Sequence, residues 1–177
     1  MLKFKNKYRI PTSRLKGWDY GSSGLYFITI CTKNKVPYFG NIQFDEAKDT
    51  ASIQKTKLGL IAENFWTEIP KHFAFVKLDE FIIMPNHIHG IIFMDKEPQV
   101  QWFENKFGPQ SSNLASIIRS YKAAVKKYST LNKIKFEWQE RYYDHIIKSD
   151  MELENIRKYI SENILKWTLD ENYIKNE

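Results

Sequence analysis

The chain has 177 residues, of which 42% are hydrophobic and 15% aromatic, so it can bury a core and is not a disordered segment. Its formal net charge is +6, and its single cysteine, Cys31, excludes an internal disulfide and fits a reducing compartment. No apolar run reaches the roughly 18 residues of a membrane-spanning helix, and residues 1–14 are charged rather than apolar, so neither a membrane partner nor secretion is expected.

Residues 1–23 read as an N-terminal arm. They hold Lys3, Lys5, Lys7, Arg9, Arg14 and Lys16 with no acid before Asp19, and they contain Pro11, Gly17 and Gly21. Residues 24–32, rich in β-branched and aromatic side chains, predict a strand buried on both faces. Asn34, Pro37 and Gly40 punctuate a hairpin region up to about residue 54. Over residues 56–70 the period changes: Leu58, Ile61, Phe65, Trp66 and Ile69 fall on one helical face, and Pro70 is expected to end that helix. Residues 75–84 and 87–94 are two apolar runs around Pro85-Asn86, either one bulged strand or the two strands of a hairpin. A long polar loop is expected over 95–112.

A second helix is predicted from Ser112 or Asn113, with Leu114, Ile117, Ile118, Tyr121, Val125 and Tyr128 as its apolar stripe. Residues 105–136 carry seven cations and no acid; four of them, Arg119, Lys122, Lys126 and Lys127, lie mostly off that stripe. Two basic segments in an otherwise acidic chain point to a polyanion partner, or else to an arm and a solvated helix face. An extended segment over 135–147 and a third helix over 150–167, capped by Ser149 or Asp150, complete the series. The order predicts an α+β fold, a ferredoxin-like antiparallel sheet with helices packed on it.

Two short patterns carry chemistry. In His87-Ile88-His89 the imidazoles are two residues apart on a strand and share a face, so both can reach one divalent ion; a chance pair on a solvated strand is the plainer reading. On the third helix, Tyr159 and Asn163 are four apart and project together from one shoulder of the stripe formed by Leu153, Ile156, Ile160, Ile164 and Trp167. His145 reads as a hydrogen-bonded structural residue, and Arg141 as a phosphate contact or an ion-pair partner of Glu140 or Asp144.

Taken together, Met84-Pro85-Asn86-His87-Ile88-His89, Lys158-Tyr159-Ile160-Ser161-Glu162-Asn163, Arg14-Leu15-Lys16-Gly17-Trp18-Asp19-Tyr20 and Trp138-Gln139-Glu140-Arg141-Tyr142-Tyr143-Asp144-His145 resemble the REP-associated tyrosine transposases of bacteria. These lie within the single-tyrosine HUH (IS200-like) transposases, and the resemblance runs from about residue 8 to residue 167. It implies an HUH-type domain over 24–167, flanked by the basic arm 1–23 and a tail 168–177. It also implies a metal-dependent DNA transposase or single-strand endonuclease that works in the bacterial cytoplasm beside the nucleoid. Tyr159 would be the nucleophile, giving a 5′-phosphotyrosine link and a free 3′-hydroxyl. His87, His89 and Asn163 would hold Mg²⁺ or Mn²⁺, and Arg14, Lys16, Arg119, Lys122, Lys126, Lys127 and Arg141 would contact DNA. The substrate would be single-stranded DNA beside a hairpin or palindrome, bound by a monomer or a homodimer. Asn163 stands where insertion-sequence relatives often carry Gln, one methylene longer, so direct ligation and a bridging water both remain open. A non-catalytic single-stranded nucleic-acid-binding module is the alternative function.

Overall fold

A computed structural model describes residues 3–4, 7–8, 15, 17–45, 47, 50–97 and 112–173. Two short strands, β1 (Lys3–Phe4) and β2 (Lys7–Tyr8), pair with each other. Arg14 and Lys16 lie outside the described residues, as does residue stretch 98–111 of the expected loop.

The main sheet is built from β3 (Gly24–Cys31), β6 (Val76–Ile83), β7 (His87–Met94) and β8 (Tyr143–Ile147). Between β3 and β6 lie a separate hairpin, β4 (Gly40–Asp45) with β5 (Thr50–Lys55), and the helices α1 (Lys57–Thr67) and α2 (Ile69–His72). Helix α3 (Leu114–Leu131) connects β7 to β8, and α4 (Asp150–Glu162) follows. The sheet order is β6-β7-β3-β8, and every neighbouring pair is antiparallel. Ignoring the inserted hairpin, β3-α1-β6-β7-α3-β8 is the ferredoxin-like βαββαβ arrangement the sequence predicts.

Residues 75–94 are a hairpin rather than one strand. Pro85-Asn86 sits in its turn, which the Met84 N–H closes by donating to the His87 carbonyl, and a register irregularity falls between Leu78 and Phe81. Pro70 does not end the first helix. That helix stops at Thr67, and Pro70 occupies the first turn of α2, where its missing N–H costs nothing. The α3 start is fixed by a capping box between Asn113 and Ser116, and the α4 start by Ser149. Helix α4 ends at Glu162, short of the expected 167, and Trp167–Leu169 form a separate 3-10 turn.

The sheet has two apolar faces. Tyr26, Ile28, Ile30, Ile88 and Ile92 pack with Leu58, Trp66, Ile117, Tyr121 and Val125 of α1 and α3. On the other face, Leu25, Phe27, Ile82, Ile91 and Ile147 receive Leu153, Ile156 and Ile160 of α4. A bidentate pair, in which Arg157 donates to both oxygens of Asp79 (2.8 and 2.5 Å), ties α4 to β6. The alternation of β3 and β7 therefore sends Thr29, Cys31, His87 and His89 to the α4 side.

Gly90 lets α1 approach β7. A Cβ there would lie 2.4 Å from Trp66 Cζ2 and 3.1 Å from Phe81 Cβ, and Trp66 is wholly buried. Gly90→Ala is expected to cost about 1–3 kcal/mol through overpacking, read as a lower urea midpoint with an unchanged slope.

Candidate functional site

His87 and His89 are both buried on the α4 side of β7, with ring centroids 4.4 Å apart. Their tautomers follow from what holds them. The Asn86 side-chain amide donates to the carbonyls of Lys35 (2.9 Å) and Asn172 (2.8 Å), which fixes its Oδ1 as the acceptor toward His87 Nδ1 at 2.9 Å. His87 Nδ1 thus carries the proton, and the unprotonated Nε2 is buried with no hydrogen-bond partner among the described residues. His89 Nδ1 is 2.9 Å from Thr29 Oγ1, which likewise turns its Nε2 into the site. Such a partner on the rear nitrogen is what orients a ligating imidazole. Asn34 and Lys35 both adopt positive φ, 56° and 53°, and this turn presents the Lys35 carbonyl to Asn86.

Aromatic rings fix the planes of the two imidazoles. Trp167 stacks on His87 at 5.9 Å and Phe27 on His89 at 5.2 Å. Burial, and then the charge of His89, hold the His87 pKa well below its ordinary value, so the imidazole is in the neutral, ligating form.

Tyr159 comes down from α4. Its hydroxyl lies 3.2 Å from His89 Nε2 and donates toward Asp170 Oδ2 at 3.4 Å, and its ring meets Phe27 edge-on. The residue is 42% exposed, so substrate can reach it from outside. Burial, followed by the charge and hydrogen bond of Asp170, pushes its pKa up to about 12.

Asp170 belongs to neither of the two sequence patterns that carry chemistry. Its Oδ2 is 4.0 Å from His87 Nε2 and 3.9 Å from His89 Nε2, and its side chain is 2% exposed. Burial alone would raise its pKa, but His89, His87, the Asn163 amide and the Asn172 N–H outweigh that and hold the carboxylate ionised, well below its usual range. His87, His89 and Asp170 each offer one ligand atom, and these atoms all lie within 4.8 Å of one another, a group able to hold a metal ion. The orphaned His87 Nε2, two rear-anchored imidazoles and one buried carboxylate are a donor set suited to a divalent cation.

Asn163 is buried beside this group. Its Nδ2 donates to Asp170 Oδ2 at 3.0 Å, and its Oδ1 is buried without a hydrogen-bond partner among the described residues. In this arrangement the Asn163 amide N–H contacts the carboxylate. Residues 168–173, read from sequence as part of a tail, therefore wrap back over the imidazoles.

The expected DNA-contacting residues are less uniform. Lys122 donates to the carbonyls of Gln139 (2.6 Å) and Glu140 (3.2 Å), Lys126 donates to that of Phe136, and burial lowers the Lys122 pKa. Both ammonium groups thus clamp residues 136–140 onto α3. Arg119, Lys127 and Arg141 are exposed. His145 is hydrogen-bonded, as expected: it bonds Glu152 at 2.6 Å, which in turn accepts from the Lys148 N–H, and so braces the start of α4.

Residues 23–163 match the family model described as "Transposase IS200 like". An uncharacterized protein of Haemophilus influenzae is 36% identical over 170 residues, 91% of each chain. The solved structure of a REP-associated tyrosine transposase bound to a REP hairpin superposes with a TM-score of 0.56 at 15% identity, covering 89% of this chain and 74% of that one. That likeness establishes the fold.

Proposed function

This chain belongs to the IS200-like transposase family, and from that premise we propose that it cleaves and rejoins single-stranded DNA beside a hairpin through a covalent link to Tyr159. The observation that carries the proposal is the convergence of the Tyr159 hydroxyl with His89 Nε2 and Asp170 Oδ2, 70 and 11 residues away in the chain. A module that only binds DNA needs no such constellation.

In the proposed step, Tyr159 Oη forms a bond to the scissile phosphorus while the bond to the 3′-oxygen breaks. The 5′-phosphate stays on the tyrosine and the 3′-oxygen leaves as a hydroxyl. Attack by a 3′-hydroxyl reverses the exchange and rejoins strands, so no nucleotide cofactor is needed. His87, His89 and Asp170 would hold the divalent ion, Mg²⁺ or Mn²⁺, which supplies Lewis-acid polarisation of the phosphate. With the His89 Nε2 lone pair committed to the ion, Asp170 Oδ2 is the acceptor left within reach of the phenolic proton. Asn163 steadies the carboxylate, and Phe27 and Trp167 exclude water from the imidazole faces.

The test is a labelled hairpin oligonucleotide, drawn from inverted repeats flanking the gene and incubated with protein and Mn²⁺. The expected product is a slow-migrating covalent adduct on a denaturing gel, and its absence across those repeats would sink the proposal. Binding should also be salt-dependent. Lys127→Ala is expected to reduce the slope of log affinity against log salt by about one unit. Lys126→Ala would additionally loosen the segment it clamps, so an unchanged slope in Lys127→Ala alone is what would show that this helix face merely meets water.

A further inference from the structure

Tyr143 takes no part in the chemistry above, yet it stands on the same face of the sheet. The register runs Ile82, His89, Thr29, Tyr143 across β6, β7, β3 and β8. Tyr143 is therefore two strands from His89, about 10 Å between backbones. Its ring touches Phe27 edge-on at 6.4 Å, and Phe27 touches Tyr159 in the same way at 6.1 Å. Unlike the packed Phe27, Tyr143 is 54% exposed. It sits on β8, whose outer side pairs with no other strand among the described residues.

A groove of about 1060 Å³ opens two residues upstream, at Arg141. Lys33, Lys35, Lys126 and Arg141 line it against two acids, Glu137 and Glu140, and Lys33 and Glu137 already pair with each other. Lys35 also joins the groove to the site, because its carbonyl holds Asn86 and its ammonium group donates to the Glu171 carbonyl beside Asp170. A groove with more cations than acids, two residues along the chain from a half-exposed ring that shares Phe27 with Tyr159, has the form of a single-strand track: phosphates along the charge, a base on the ring.

We propose that Tyr143 seats an unpaired nucleobase of the strand being cut, adjacent to the phosphate that Tyr159 attacks, with the following phosphates in the groove of Lys33, Lys35 and Arg141. This rests on the reading of Tyr159 as a nucleophile toward single-stranded DNA. The seat tolerates any base, because every base offers a π-face, and what Tyr143 contributes is position along the strand. The edge contact with Phe27 holds the ring in place before DNA arrives.

The experiment uses hairpin oligonucleotides from the inverted repeats flanking the gene, with 2-aminopurine placed in turn at each nucleotide of the single-stranded flanks and EDTA present to prevent cutting. The wild-type protein is expected to quench the fluorophore at one or two flank positions. Tyr143→Ala should lose that quenching and bind roughly 5- to 150-fold more weakly, whereas Tyr143→Phe and Tyr143→Trp should retain both. The melting temperature and Mn²⁺ affinity of Tyr143→Ala should match wild type, because the ring is exposed and holds no ligand. A Tyr143→Ala protein that quenches and binds like wild type overturns the seat, and so does one whose only change is in oligomeric state. A wild-type adduct together with unchanged quenching in Tyr143→Ala leaves the role of Tyr159 standing and removes the seat. Lost quenching without any wild-type adduct does the reverse. A wild-type protein that binds none of the hairpins overturns both.

Discussion

Tyr159→Phe is expected to abolish the covalent adduct, lowering its rate by roughly 10⁴-fold or more, while hairpin binding and Mn²⁺ binding persist. The substitution removes one oxygen from a residue that is 42% exposed and leaves its ring against Phe27 and His89. The lost hydrogen bonds should cost no more than about 1 kcal/mol of stability, so the fold survives and the gel reports chemistry alone. An adduct that persists in Tyr159→Phe would place the link on another residue, and Tyr143 would be the first to test. The pH dependence carries further information. Burial and the neighbouring Asp170 carboxylate push the Tyr159 pKa up to about 12, so the phenol is neutral at pH 7–9 in this arrangement. Below its pKa the phenolate fraction grows about tenfold per pH unit. If free phenolate attacks, adduct formation should rise by that factor over the range. A flat profile would mean that the proton leaves during attack, to Asp170.

The legible parts of this protein are those whose periodicity is local. His87 and His89 share a face because strand side chains alternate, and Tyr159 and Asn163 lie together because a helix turns every 3.6 residues or so. The order of strands and helices gave the ferredoxin-like sheet for the same reason. Whether residues 75–94 made one strand or two was not legible, because the turn at Pro85-Asn86 depends on bonds from Thr32 and Phe39, far away in the chain. Lys122 and Lys126 read as DNA contacts or a solvated face because a helical wheel cannot show that their ammonium groups reach back to the carbonyls of residues 136–140. Asp170 was hidden for a related reason. It follows no period and lies in a polar run, and it reaches the imidazoles only because Trp167 packs on His87 and a 3-10 turn reverses the chain behind it. The available signal was a large aromatic, Trp167, closely followed by Asp170 and Asn172, in a segment too polar to need a tryptophan for a surface role.

Asp170→Ala is expected to lower Mn²⁺ affinity by at least the roughly 10- to 100-fold that loss of an outer partner of a metal ligand costs. The carboxylate is ionised, buried and within 4.0 Å of both imidazole Nε2 atoms, whereas the competing Asn163 turns its amide N–H toward the carboxylate. Asn163→Ala should therefore weaken the metal less than Asp170→Ala, because it leaves all three candidate ligand atoms in place. Titration calorimetry and the Mn²⁺ electron paramagnetic resonance signal read this without DNA or turnover. If Asn163→Ala instead proves the more damaging change, its carbonyl is the third ligand and Asp170 only its hydrogen-bond partner. The two variants also separate binding from nucleophile chemistry. Asp170→Asn keeps the shape of the side chain but removes the negative charge beside the phenol, so the Tyr159 pKa should fall from its raised value, visible as an earlier rise of phenolate absorbance in an alkaline titration. A Tyr159 titration unmoved by Asp170→Asn would mean that burial alone sets its acidity, leaving the carboxylate a role toward the metal only.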